Sequence, residues 1–568
     1  MNKIIQLTIL CLCGFSLFSQ NEVVQIDTIF LHKDDAKKLI LINKDVAILN
    51  TEYPNLKNRI LSAGLFYDFS SPVTELETGN SYAVTDQNKQ TYKLYFTQLP
   101  IVSIDTSEAI VDEPRVYAEF ALCESNGNFI QNNIGIEYRG GSTQAYPKKS
   151  LRIEFWKNKN GDDTKNISLL NMRSDDDWNL QAMYNEPLRM RTKICFELWN
   201  KIDTLYYLKD ETKAINGVRQ KFVELFVSNE YRGVYALSER IDKKQLRLKK
   251  FKNGEIKGEL YKGKEWGGAT TFSDLPPYDN NKDFWGGYRY IYPKDTTSWE
   301  NLYNFVDFVI NAKNADFYEN YTDKFKIDNA VNYFIFMNLL RAKDNTGKNL
   351  FVAKYKKDKP YFYVPWDLDA TLGINWTGEQ DNISNDLISN KFYRRLILDT
   401  LFTDKLKVRW NHLRETVIST NSILALFRDY YNYLNKNGVY ERELLAWNEY
   451  DFDYDGNIQY LTNWVENRII YLDNIFNRPK LLRELLRTRE LTKVDVKIYP
   501  NPASNTLRIR LGSKHKIENI SILNLLGSCI LSCNSTNIDV SNLDKGIYFV
   551  IINLKNSPKL LEKLIIER

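Results

Sequence analysis

The spacing of apolar residues changes character twice along this 568-residue chain, and that change limits it to a multi-part architecture. From 21 to 99, short runs such as "TIFLH", "KLILI" and "YKLYF" are separated by Asn, Asp and Gly, the pattern of a small β domain. From 100 to 480, strand-like "NIGIEYRG" and "KSLRIEFW" are followed by helix-like "PLRMRTKICFELWNKI", then strand-like "KFVELFVSNEYRGVYAL", then mostly long helical patterns to Phe476. Strands early and helices late predict an α+β domain with a sheet-rich front lobe and a helical back lobe. The run "NRPKLLRELLRTRELTK" supplies a charged helical linker over 481–493. Alternation returns over 494–568 in "NTLRIRL", "ENISILNLLG" and "GIYFVIINL", which suits a small β-sandwich.

The first twenty residues stand apart. One basic residue, an apolar run from Ile4 to Phe18 and then small or polar residues read as a secretory signal peptide over 1–20, with cleavage near Ser19 or Gln20. Leu10 and Leu12 precede Cys11 and Cys13, where a lipoprotein signal needs a small residue, so a soluble product without a transmembrane anchor is expected. Removing the signal leaves Cys123, Cys195, Cys529 and Cys533, whose spacing matches no zinc motif. Cys529 and Cys533 can pair only if their Cα atoms approach closely. A formal charge of +5 over the whole chain leaves no electrostatic footprint for nucleic acid.

Chemistry is narrowed by subtraction. The chain holds three His, at 32, 412 and 515, and only His412 lies in the central domain. That count excludes a His-rich zinc centre and leaves a His-dependent nucleophile only His412, which reads as an ordinary helix residue. The work falls to carboxylates, amides, Lys and Arg. In "RAKDNTGKNLFVAKY", Asp344 and Asn349 stand five apart, and "PWDLD" follows with Asp367 and Asp369. Phosphoryl transfer needs a carboxylate to orient and deprotonate the accepting hydroxyl, an oxygen ligand for a divalent ion, and a second carboxylate between metal and phosphates. The D-x-x-x-x-N interval is that of a protein-kinase catalytic loop without its preceding His-Arg.

The blocks "IEYRGGSTQAYPKKSLRIEF", "DDDWNLQAMYNEPLRMRTKICFEL", "VELFVSNEYRGVYALSERID", "NLLRAKDNTGKNLFVAKY" and "YFYVPWDLDATLG", in that order, resemble the CotH (spore-coat protein H) family of atypical, secretory-type protein kinases. The resemblance implies a bilobal kinase-like domain that transfers the γ-phosphate of ATP, with Mg or Mn, to Ser or Thr of a protein substrate. It implies that Asp344 is the catalytic Asp and Asp367 the metal-binding Asp, with Asn349 and Asp369 as further ligands. The front lobe then holds the nucleotide. Arg139, Gly140, Gly141 and Ser142 form a turn whose glycines let backbone N–H groups approach phosphate. Lys149 is the expected phosphate-pairing lysine, Lys148 the alternative, and Glu186 its expected acidic partner, with Glu197 competing. Glu239 is expected where the lobes meet, where a structural salt bridge suits it better than catalysis.

The tail carries a second resemblance. Tyr499-Pro500-Asn501-Pro502, Asn505, Leu523-Asn524 and Gly546-Ile547-Tyr548 resemble the C-terminal sorting domain of type IX secretion cargo in Bacteroidetes, implying export across the outer membrane to the cell surface or beyond, with the secretion machinery as partner. In "DFDYDGNIQYLT", Asp451, Asp453 and Asp455 match the first half of a calcium loop, but position 12 is Thr462; the alternative is an Asp-rich helix N-cap. A non-catalytic or carbohydrate-binding surface protein remains the other functional reading, because "EWGG" (265–268) and "FWGG" (284–287) among 11 Trp offer faces for stacking on sugars.

Overall fold

Seven short strands form the first sheet, in the order Glu22–Gln25, Lys57–Ser62, Leu65–Val73, Ser81–Asp86, Thr91–Phe96, Leu39–Ile42 and Leu31–Asp34. The computed structural model describes residues 22–448, 452–491, 496–511, 516–524, 528–554 and 557–567; the signal peptide expected over 1–20 lies outside them. The run Leu39–Ile42 is apolar at every position because both its faces are covered. Ile40 and Ile42 enter the sheet's own core with Val84, Leu94 and Phe96. Leu39 and Leu41 pack instead with Tyr95 against Ile101, Phe226 and Tyr231 of the next unit.

That next unit is a closed barrel, where the sequence pattern indicated only a sheet-rich lobe. Its strands are Phe129–Arg139, Ser150–Trp156, Asp177–Gln181, Glu230–Ser238, Gln220–Val227, Ile101–Asp105 and Val116–Cys123, in ring order. Alternate residues such as Ile104, Phe120, Ile134, Ile153, Phe155 and Trp178 fill the interior. Closure removes the exposed edges that an open sheet would present. Gly135 is required where the Trp156 ring crosses the partner strand, since a Cβ there would lie 1.9 Å from the indole.

The remainder of the central domain is built on helices around a five-stranded sheet ordered Phe284–Trp285, Tyr288–Tyr292, Glu259–Gly263, Leu350–Lys354 and Tyr361–Pro365. Helix Ile327–Leu340 runs through its core and buries every residue but Asp328, which explains why its apolar residues fall on all its faces, with Asn329, Asn332 and Asn338 buried among them. The segment expected as a linker is helix Pro479–Leu491, and it is docked: Leu482 and Leu486 are buried in the same core as Phe476. Beyond it, a three-stranded and a four-stranded sheet share the core residues Leu507, Ile520, Ile522, Val550 and Ile552. Cys529 and Cys533 are free thiols at opposite ends of one strand. Four residues of extended chain separate their Cα atoms by roughly 13 Å, far beyond disulfide reach.

Buried charge fastens these units together. Arg442 on helix Val439–Ala446 pairs with Glu224 of the barrel at 2.5 Å. Glu224 also accepts from Tyr231 at 2.6 Å and from Thr97, at the end of the first sheet, at 2.9 Å. The architecture is mixed α+β.

Candidate active site

Helix Ile327–Leu340 ends at Arg341, which turns the chain with φ of 53° and is clamped by Asp386 at 2.8 Å and Asp381 at 2.6 Å. Three residues on, a single 3₁₀ turn, Asp344–Thr346, presents the Asp344 carboxylate, one-third exposed and paired with Lys348 at 2.8 Å. The chain then enters strand Leu350–Lys354 through Asn349, whose N–H bonds Gly263 at 2.9 Å and whose φ is 54°. This strand returns as Tyr361–Pro365, and Trp366 N–H closes the hairpin on the Asn349 carbonyl at 3.0 Å. The buried amide of Asn345 donates to the carbonyls of both Asn349 and Trp366. The turn carrying Asp344, the entry residue Asn349 and the loop beginning at Asp367 are therefore one hydrogen-bonded unit.

Asp367 is exposed with φ of 55°, and Asp369 is partly buried behind it. Burial, together with the negative charge of Asp367, pushes the Asp369 carboxyl up to about 7. Its neutral partners are Asn185, whose amide donates at 3.3 Å, and the Ala370 N–H at 2.9 Å. Asp367 and Asp369 are two carboxylates close enough to repel one another, and their oxygens are donors of the kind that suit Mg²⁺ or Mn²⁺, while among the described residues no cluster of three or more His, Cys, Asp or Glu forms.

Cations converge on this pair from other strands. Arg139, the last residue of its barrel strand, and Lys262, on strand Glu259–Gly263, both feel the charge of Asp367. Arg139 also donates to Gln181 and lies over the Trp366 ring. Burial, then the charge of Arg139, pulls the Lys262 ammonium down to about 8. Arg240 acts on both groups and is held by Asp177 at 2.5 Å, which also holds Arg152 at 3.1 Å. None of Lys262, Arg240, Arg152 or Asn185 was singled out by the sequence reading. They come from separate strands and loops and carry no motif; the only available signal was the placement of Arg152 and Lys262 within strand patterns.

The glycine turn lies between two strands, as its sequence indicated. Gly140 adopts φ of 112°, and a Cβ there would meet Thr143 Oγ1 at 2.1 Å; Gly141 is exposed. Tyr146, just beyond, feels the charge of Asp369 and donates to the Trp376 carbonyl at 3.4 Å, so this segment runs beside the acid pair.

Lys148 and Lys149 are engaged elsewhere. The Lys148 ammonium is fully buried, 2.7 Å from Glu443, which also accepts from Arg189 at 3.0 Å and from Val234 N–H at 2.6 Å. Lys149 donates to the carbonyls of Gln144 and Tyr146, at 2.5 and 3.2 Å. The expected pairing of Glu186 with a lysine is corrected: Glu186 binds Arg191 at 2.8 Å and accepts the N–H groups of Leu188 and Arg191, securing the start of helix Arg191–Ile202. Glu197, its competitor, pairs with Lys193. Glu239 is buried in a salt bridge with Arg219 at 2.6 Å. Asp453 caps helix Tyr454–Phe476 by accepting from Gly456 N–H at 3.0 Å, and Asp455 lies in its first turn; Asp451 is outside the described residues.

Two tryptophans flank the site. Trp266 of "EWGG" is 51% exposed, and its ring rests on Gly347, where a Cβ would lie 2.5 Å from it. Trp376 is 61% exposed, and its carbonyl accepts from Asn185 at 2.8 Å. Trp285 of "FWGG" is instead buried against Trp299, ring centroids 5.7 Å apart.

The model of the CotH kinase protein family matches residues 136–472, which spans the barrel strand leading to Arg139, the acid pair and the helices beneath them. The model of the secretion system C-terminal sorting domain matches residues 497–567. No curated protein matches the chain.

Proposed function

The chain belongs to the CotH kinase protein family, whose model covers more than half of it, and on that premise we propose that it is a secreted protein kinase transferring the γ-phosphate of ATP to Ser or Thr of a protein substrate. The observation that carries this reading is that Arg139 and Lys262 both stand over the ring of Trp366, at 5.9 and 5.8 Å, next to Asp367, in a loop hydrogen-bonded to the turn of Asp344. In this reading the barrel and the helical part act as the two lobes, with ATP between them.

Asp367 and Asp369, with Asn349, would hold Mg²⁺ or Mn²⁺, and the ion would supply positive charge against the phosphates. Arg139 and Lys262 bind the phosphate oxygens, and the glycine turn at 140–141 lets the backbone come close. Lys262 replaces Lys148 and Lys149 as the phosphate-pairing lysine. Asp344 orients the acceptor hydroxyl. The hydroxyl oxygen bonds to the γ-phosphorus, the bond from that phosphorus to the β–γ bridging oxygen breaks, ADP leaves with the electron pair, and the hydroxyl proton passes to Asp344.

The C-terminal domain is a type IX secretion sorting domain, and among the described residues no helix is long and apolar enough to cross a membrane. Delivery to the cell surface or the extracellular space, with the tail as a β-sandwich read by the secretion machinery, belongs to the same proposal. The exposed rings of Trp266 and Trp376 favour the second reading, a carbohydrate-binding surface protein on the same fold. Calorimetry with ATP and Mg²⁺ or Mn²⁺ separates the two. Metal-dependent ATP binding that is lost in Asp367→Ala supports the kinase; absence of ATP binding with measurable oligosaccharide binding supports the alternative.

A further inference from the structure

A cavity of about 650 Å³ lies where the hairpin ending at Asp175, the segment 212–219 and the turn 244–247 meet. Arg173, Lys213, Arg219, Lys244 and Arg247 line it, and every other lining side chain is neutral. None of Asp344, Asp367, Arg139 or Lys262 takes part.

Carboxylates outside the lining hold three of these cations and fix their orientation. Asp242 grips Arg173 with two bonds of 2.7 and 2.9 Å. Glu239, fully buried, holds Arg219 at 2.6 and 3.1 Å and is itself tied by the N–H groups of Arg173 and Arg219 at 2.9 and 2.8 Å. Asp175 and Asp176 hold Lys244 at 2.7 and 2.5 Å. Arg173 Nε is buried without an acceptor among the described residues. Lys213 and Arg247 are exposed, and among the described residues neither has an ion pair. Three of the five lining cations are therefore held by four carboxylates that do not themselves line the cavity. Guanidinium groups braced in this way are pre-organised for the several oxygens of a phosphate, a match that a single mobile ammonium lacks.

We propose that this cavity binds a compact polyphosphate anion, at a site separate from the acid pair and independent of the kinase assignment. The volume suits a small molecule bearing two or three phosphates rather than a macromolecular surface. Because its walls come from a hairpin and loops that lie between and beyond the barrel strands, the bound anion ties those connecting segments together.

Inorganic tripolyphosphate is the probe, titrated by calorimetry into the full mature chain, without divalent metal and at constant ionic strength. Lys213→Ala/Arg247→Ala removes the two unpaired cations and spares the braced ones, and thermal melting verifies its fold; Asp367→Ala disables the acid-pair site. Saturable binding that survives Asp367→Ala, weakens roughly tenfold or more in the double variant through loss of charge-assisted bonds, and resists displacement by equimolar sulfate is the expected result. Absence of binding overturns the proposal. So does binding unchanged in a folded double variant, binding lost in Asp367→Ala, or displacement by sulfate as effective as by tripolyphosphate, which would mark general charge attraction.

Discussion

The side-chain amide of Asn345 donates to the main-chain carbonyl of Trp366 at 2.9 Å, joining the turn of Asp344 to the loop of Asp367 across 21 residues of sequence. Neither acid makes this link itself. Removing the amide leaves the positions of both acids less fixed. Asn345→Ala is expected to cost about 1–3 kcal/mol of stability, the range for buried carbonyls deprived of a partner. Metal-dependent ATP binding should weaken with it. Denaturant unfolding and calorimetry on the same variant check both effects, and a fully stable variant with unchanged binding would show that the link is dispensable.

Gly347 has no room for a side chain, because Trp266 occupies the place of its Cβ at 2.5 Å. Gly347→Ala should therefore destabilise the turn and displace the indole, read as a change in tryptophan emission and a lower melting temperature. In a Trp266→Ala background the same substitution should cost less, leaving only the Thr271 methyl at 2.8 Å to be displaced. A double-mutant cycle measures the coupling directly.

The two candidate lysines have opposite expected behaviour. Glu443→Gln strips the counter-charge from the sealed site of Lys148 and should cost about 3–5 kcal/mol, as breaking a buried pair does. Lys262→Met, at a partly exposed position, should leave unfolding nearly unchanged while weakening ATP binding. Melting curves and ATP titrations of the two variants test the assignment; a stable Glu443→Gln or an unaffected Lys262→Met would reverse it.

His32 joins the first sheet to the barrel, stacking on Phe226 at 5.3 Å with Nδ1 2.9 Å from Ser103 Oγ. Burial pulls its imidazole from 6.5 down to about 4. Between those values the unfolded chain binds a proton that the folded chain does not. Stability from this residue is complete above pH 6.5, falls as the pH drops from 6.5 towards 4, and changes no further below. The loss is at most roughly 3 kcal/mol. His32→Gln should flatten the difference between urea unfolding at pH 7 and at pH 5 relative to the unchanged chain.

Much of the site was legible where it is local. The Asp344–Asn349 interval and the Asp367–Asp369 pair are short-range patterns, and the structure places them in adjoining loops of one hairpin. Lys262, Arg240 and Arg152 were not legible, because Lys262 and Arg152 are ordinary cations in their own strands, Arg240 lies just past the end of another, and only barrel closure and the five-stranded sheet bring them to one place. The same limit hid the true partners of Lys148 and Glu186: Glu443 lies 295 residues from Lys148, while Arg191 stands only five from Glu186 but begins a helix whose N–H groups claim the carboxylate. Helix Pro479–Leu491 read as a linker because its charged residues dominate, yet Leu482 and Leu486 reach the core. The half-matched calcium loop places Asp453 as an N-cap, a role that Asp favours with no metal involved.

Central to the account is Asp344 as the group that takes the acceptor proton. Asp344→Asn keeps the shape of the turn and removes the base, so the decisive measurement is incorporation of labelled γ-phosphate by the unchanged chain and by this variant, with ATP binding followed in parallel. The account predicts unchanged ATP binding and phosphate transfer lower by roughly two to four powers of ten. Equal labelling of the variant and the unchanged chain would contradict it, and the stretch "KDNTGKN" would then be no more than a turn between a helix and a strand.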